Sequence, residues 1–185
     1  MTRPVSALVA AAFVLCAAAN LHAQGAKPNG FSIAAGVGAG WGRVSCDVCQ
    51  TARDLGPTAF VRVGTSVRTG VHVAGEATIW THEVEDEREN MGALMATLYL
   101  HPQQGALYVK SGLGLVAYRA GEQIALNSIG LQLGAGYDLR LGGLAITNYL
   151  NLIGSSFGSL KNGDATIAED VSTTLLQFGV GLTLR

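Results

Sequence analysis

The sequence predicts an all-β protein, a closed eight-stranded antiparallel up-and-down transmembrane β-barrel, on three observations. Eight segments after Gly30 alternate apolar with small or polar residues, the period-two pattern of strands. Charged residues make up only 14 % of the chain and glycine contributes 25 of its 185 residues, a charge content about half that of a typical soluble domain. The connections between segments alternate between very short and long, as expected when one end of a barrel is trimmed and the other decorated.

The elements follow in chain order. Arg3, the apolar run from Val5 to Ala19 and the Asn20-Leu21-His22-Ala23 step before Gln24 have the order of a secretory signal peptide cut after Ala23. A bilayer-spanning helix needs about 20 apolar residues, so this run is too short to serve as an anchor. The expected organisation is therefore residues 1–23 as signal peptide, with Cys16 discarded in it, and residues 24–185 as one barrel domain. That length gives no reason to look for a second core.

The first strand segment carries Phe31, Ile33, Val37 and Trp41 on one face, and the second sets Ala59, Val61 and Val63 against Phe60 and Arg62. The third opposes Val71, Val73 and Ile79 to His72, Glu76 and Trp80. In the fourth, Leu94, Leu98 and Leu100 oppose Met95, Thr97 and Tyr99. Val109, Leu113 and Leu115 alternate with Tyr108, Lys110 and Gly112 in the fifth, and Ile129, Leu131 and Leu133 with Gly130, Gln132 and Gly134 in the sixth. The seventh and eighth repeat the pattern with Leu144, Ile146, Leu150 and Leu152, then with Leu176, Phe178, Val180, Leu182 and Leu184.

Arg68-Thr69-Gly70 is predicted as a three-residue turn with its glycine left-handed, Pro102 to Gly105 as a short closure, and Gly142-Gly143 as a two-residue hairpin. The last of these pairs Leu141 with Leu144 and Leu139 with Ile146, which keeps both on one face. The remaining connections, Arg43 to Gly56, Glu83 to Asn90, Arg119 to Ser128 and Gly154 to Asp170, are expected as longer polar loops. An even strand number puts both chain ends on the short-turn, periplasmic side.

Alternation alone does not separate a membrane barrel from a soluble one that turns its apolar face inward. The composition of the second face decides it. A water-facing surface carries about 25–35 % charged residues, whereas this face is mostly Gly, Ala, Thr, Gln and Tyr with Arg62, Glu76, Lys110, Asp138 and Arg140 scattered through it. Such a face suits a cramped interior, and the Leu-, Val- and Ile-rich face then meets lipid. An eight-stranded interior is filled by side chains, which argues against an open pore.

With its signal peptide, its long-short rhythm and runs such as Gly112-Leu113-Gly114, Gly134-Ala135-Gly136-Tyr137 and Gly179-Val180-Gly181, the chain resembles the small bacterial outer-membrane β-barrel family of OmpA- and OmpX-like domains. The resemblance covers nearly all of residues 24–185 and implies architecture and outer-membrane location rather than an activity. Members often end on an aromatic residue, whereas this chain closes on Leu184-Arg185.

Three groups of residues invite chemistry. Cys46 and Cys49 form a C-x-x-C step, which could signify redox catalysis, half a metal site or a local disulfide; no further ligand pair accompanies it, and the exported compartment favours the disulfide. Arg62 and Glu76 are expected opposite one another across the 68–70 turn as a lumen ion pair, since a charge in a poorly hydrated interior needs a partner. The acidic run Glu83 to Glu89 is expected as a solvated external loop, with cation bridging to lipopolysaccharide as the sharper reading.

No phosphate-binding glycine motif occurs, and His72, His82 and His101 stand apart in sequence from any Ser–Asp set, so no catalytic, cofactor or metal residues are assigned. The near-neutral net charge of −1 gives no nucleic-acid footprint. The sequence thus points to a non-enzymatic outer-membrane barrel with a structural or surface-interaction role and no open pore. Its expected partners are outer-membrane lipid and, through the external loops, lipopolysaccharide or surface ligands. A lipid-acting barrel enzyme and a narrow channel are the alternatives.

Overall fold

The computed structural model describes residues 30–46, 53–84, 87–102, 105–121, 124–163 and 165–185. The signal peptide and Cys49 therefore lie outside the described residues. Eight strands run in chain order: β1 (Phe31–Ser45), β2 (Asp54–Arg68), β3 (Val71–Val84), β4 (Glu87–Leu100), β5 (Leu107–Ala120), β6 (Ile124–Leu141), β7 (Leu144–Asn162) and β8 (Ala165–Leu184). Each pairs antiparallel with its neighbours, and β1 closes on β8 from Ile33↔Leu184 to Ser45↔Ser172. Closure leaves no strand edge unpaired, which a wall in hydrocarbon requires.

The two faces divide as the alternation predicts. Leu131, Leu94, Leu113, Val61, Leu150 and Phe178 point outward, with 45 to 64 % of their surface exposed, while Arg62, Glu76, Tyr108, Lys110, Gln132 and Asp138 are buried inside. An exterior made of contiguous exposed aliphatic side chains is a lipid-facing surface, since a soluble monomer does not expose apolar patches of that extent.

Two of the short turns place their glycine as expected. Gly70 and Gly142 adopt positive φ of 76° and 68°, the left-handed region glycine enters at no steric cost. Leu141↔Leu144 and Leu139↔Ile146 pair across the second of these turns. The first of them is shorter than the three residues expected: Arg68 stays in β2 and pairs with Val71, leaving Thr69-Gly70 as the turn, and a register shift between Ser66 and Arg68 takes up the odd residue.

The expected long polar loops are corrected by the structure. β3 and β4 stay paired out to Val84↔Glu87, β5 and β6 to Ala120↔Ile124, and β7 and β8 to Asn162↔Ala165. Three of the four regions read as loops are thus tall hairpins continuing the sheet. The reason is physical: loss of apolar side chains marks where a strand leaves hydrocarbon, not where its backbone stops pairing. About 9–11 residues span the membrane, so strands of 14 to 20 residues stand clear of it at the end opposite the short turns.

One consequence is measurable. Leu113→Arg, in the middle of the outward face of β5, is expected to destabilise the folded barrel by about 2–4 kcal/mol in lipid vesicles. Equilibrium urea unfolding followed by tryptophan fluorescence reads this, and a change below about 0.5 kcal/mol would contradict the outward assignment.

Candidate functional site

The lumen divides along its length. Towards the tall-hairpin end it is closed by packed apolar side chains, among them Trp80, Met91, Met95, Leu126, Ile153 and Leu175. Trp80 is buried and donates its indole N–H to the Gly40 carbonyl at 3.0 Å. Gly42 beside it leaves the space the indole fills: a Cβ there would lie 2.8 Å from the ring. Towards the short-turn end the lumen is polar and ionic.

Glu76 is the centre of that ionic half. Its carboxylate accepts hydrogen bonds from Lys110 Nζ at 2.6 Å, Gln132 Nε2 at 2.7 Å and Tyr99 Oη at 2.5 Å. Three charge-assisted bonds from three further strands, β4, β5 and β6, tie one side of the barrel together. Gly134 makes the arrangement possible, since a Cβ there would stand 2.9 Å from Lys110 Cε.

The expected partner of Glu76 was Arg62, and the two are indeed in register across β2 and β3. The ion pair nevertheless forms with Lys110. Arg62 instead donates from Nη2 to Thr183 Oγ1 at 3.0 Å and lies over the Tyr99 ring, 4.6 Å from its centroid. Strands in a barrel tilt and are staggered, so hydrogen-bonded register partners do not sit at one height in the lumen. Glu76 shows the offset on β4: its register partner is Met95, but its hydrogen bond goes to Tyr99, four residues nearer the short turn. The same stagger places Arg62 closer to the short-turn mouth than Glu76.

At that mouth, Asp138 accepts from Thr147 Oγ1 at 2.7 Å and pairs with Arg185 at 2.5 Å. Ser66 Oγ and His72 Nδ1 are hydrogen-bonded at 2.8 Å. The His72 and His101 rings meet edge-on with centroids 4.8 Å apart, and His101 Nε2 lies 3.7 Å from Asp138 Oδ2. Sequence reasoning missed this group. The Ser66–His72 contact was accessible to it, because the register that sets Arg62 against Glu76 also sets Ser66 against His72. The approach of His101 and Asp138 joins β4 to β6 across the lumen and leaves no local trace in the sequence.

At the opposite end, Cys46 follows β1 and is disulfide-bonded. Glu83 accepts from Arg88 at 2.8 Å on the β3–β4 hairpin, a pair with both side chains about two-thirds exposed and of small energetic weight. Among the described residues no group of three or more His, Cys, Asp or Glu side chains is placed to hold a metal ion.

No protein-family model and no curated protein matches the chain. Solved structures with the same fold do. Neisserial surface protein A superposes with a TM-score of 0.56 at 14 % identity, over 83 % of this chain and 96 % of its own. Ail, the attachment invasion locus protein of Yersinia pestis, gives 0.54 at 12 % identity, over 83 % and 98 %. Ail in complex with the heparin analogue sucrose octasulfate gives 0.54 at 13 % identity, over 83 % and 99 %. The chain thus has the fold of small eight-stranded outer-membrane barrels.

A double-mutant cycle separates the two possible partners of Glu76. Glu76→Gln and Lys110→Met are each expected to destabilise by about 3–5 kcal/mol, because each strands the other's buried charge. Their coupling is expected to reach about 1–3 kcal/mol, and that between Glu76 and Arg62 to stay under about 0.5 kcal/mol. Urea unfolding of the four variants in each cycle measures both.

Proposed function

We propose that the protein is a resident of the bacterial outer membrane with a structural or surface-interaction role, that it forms no open pore, and that it is not an enzyme. The observation that carries this is the filled lumen behind a lipid-facing wall. A layer of packed apolar side chains around Trp80, Met95, Leu126 and Ile153 stands in series with the ionic network around Glu76. Water and ions crossing the barrel would have to displace both. The short turns then face the periplasm and the tall hairpins face outward.

Among the described residues, the Ser66–His72 pair is the arrangement that favours a lipid-acting enzyme. Both residues are buried and turned into the lumen, whereas acyl chains run along the outside. A hydrolase of membrane lipid needs its nucleophile where the substrate is, and this one is separated from lipid by the wall itself.

Surface interaction is assigned to the long connections by the charge of their sequence. Across residues 43–54, 82–89, 119–124 and 159–170 the sequence carries eleven carboxylates against five Lys or Arg. Ail was solved with a sulfated polyanion. Segments of this composition repel such a ligand and suit basic partners or lipopolysaccharide phosphates bridged by divalent cations. The disulfide partner of Cys46 is proposed to be Cys49, three residues on in the same external segment.

Two measurements on the refolded protein test the reading together. In planar bilayers the wild type is expected to hold the baseline, without discrete conductance steps. Incubation with lipopolysaccharide or phospholipid is expected to release no fatty acid and shift no acyl chain. Reproducible channel steps, or acyl products lost in Ser66→Ala, would replace the proposal with the channel or the enzyme respectively.

A further inference from the structure

We propose that the short-turn mouth of the lumen is an anion site, holding one monatomic halide such as chloride between Arg62, His72 and His101. The inference starts from charge. Among the described residues, Arg62, Lys110 and Arg185 face this half of the lumen against two carboxylates, Glu76 and Asp138, while Arg140 nearby has an interaction of its own. Each carboxylate is already engaged, Glu76 by Lys110 and Asp138 by Arg185.

Arg62 is the cation this leaves over. Its guanidinium is buried, with 7 % of the residue exposed, and no carboxylate lies within 4 Å of it. A hydroxyl at 3.0 Å and an aromatic face are its neighbours, and neither carries the compensating charge that a buried cation requires.

A second observation points to the same place. Arg62, His72, His101 and Arg185 line one cavity at the mouth. Both histidines are more than nine-tenths buried, and three of their ring nitrogens have no hydrogen-bond partner: His72 Nε2 and both nitrogens of His101. Asp138 Oδ2, at 3.7 Å from His101 Nε2, is at ion-pair range but beyond a hydrogen bond. When Ser66 donates its hydroxyl proton to His72 Nδ1, the His72 ring carries its own proton on Nε2 and donates from there. Guanidinium and imidazole N–H donors then line the same cavity.

Size and sign select the occupant. The cavity holds about 20 Å³, the scale of a single water-sized particle, which favours a monatomic anion over phosphate, sulfate or a carboxylate. A metal cation would sit between Arg62 and Arg185 with the only adjacent carboxylate already committed, an arrangement that electrostatics disfavours. A halide supplies the missing negative charge and can accept from the N–H donors that line the cavity.

The test uses the barrel refolded in detergent, melted at constant ionic strength while sodium gluconate is replaced stepwise by chloride, bromide or sulfate. Chloride and bromide are expected to raise Tm saturably, by about 3 °C at roughly ten times the dissociation constant, and sulfate to have no such effect. Arg62→Gln is expected to abolish the halide response. Should that variant fold poorly, His72→Leu retains Arg62 and is expected to raise the half-saturating concentration about tenfold, a loss of one hydrogen-bond donor to a charged ligand. A crystal grown with bromide should show one anomalous peak in the cavity. A flat halide titration, an equal response to sulfate, or a water in place of bromide would each overturn the site.

Discussion

The whole molecule depends on one constraint, that a backbone amide or carbonyl facing hydrocarbon must find its partner within the protein. An unpaired group in the membrane costs several kcal/mol, and a sheet has two edges full of them. Joining β1 to β8 along thirteen register pairs removes both edges at once. What remains of the design follows from that closure. A closed sheet of eight strands tilts and staggers, its interior is too narrow for solvent to fill freely, and each inward side chain must be matched in volume and polarity by those from other strands.

The stagger explains why the interior is organised across strands that are not neighbours in register. Glu76 meets Lys110 and Gln132 from β5 and β6, and Asp138 meets Thr147 and Arg185. Register pairs hold the wall; level pairs hold the lumen. The two systems share residues but not partners, so an interior bond is a tie across the barrel added to the backbone ladder around it. Glycine makes this possible by withdrawing volume on the strand where a long side chain from another must lie, as Gly134 does for Lys110 and Gly42 for Trp80.

The wall was legible in the sequence because a side chain in a closed sheet has only two directions, and Leu113, Leu131 and Leu133 alternate with Gly112, Gly130 and Gln132 without interruption. The turns were legible where glycine had to be left-handed, at Gly70 and Gly142. The height of the strands was not, because Glu83, Arg88 and Asn162 look like loop residues by polarity while their backbones remain in the ladder. The same error concealed most of the apolar layer: Met91, Leu126, Ile153 and Leu175 lie at or beyond the ends of the segments that alternation picked out. The ion-pair partner was misread for a geometric reason, since the turn at 68–70 fixes that Arg62 opposes Glu76 but says nothing of tilt. His101 and Asp138 meet through the lumen, and no local pattern encodes that.

The division of the lumen into an apolar and an ionic half follows from what each end must do. Tall hairpins carry the sheet beyond hydrocarbon into a polar environment, where the interior would flood unless the side chains there packed against one another. Trp80, Met91 and Leu175 supply that seal by ordinary hydrophobic burial. The short-turn half lies behind the seal and is free to carry charge, provided the charges satisfy each other. Arg62, Lys110 and Arg185 against two carboxylates do not quite do so, and the imbalance falls on Arg62, at the place where the lumen has space left. A barrel that resolves every backbone group by closing its wall therefore leaves its last electrostatic account to its interior, and the Arg62 guanidinium, held by a hydroxyl and an aromatic face but by no carboxylate, beside imidazole nitrogens that lack a hydrogen-bond partner, is where a solute is needed to close it.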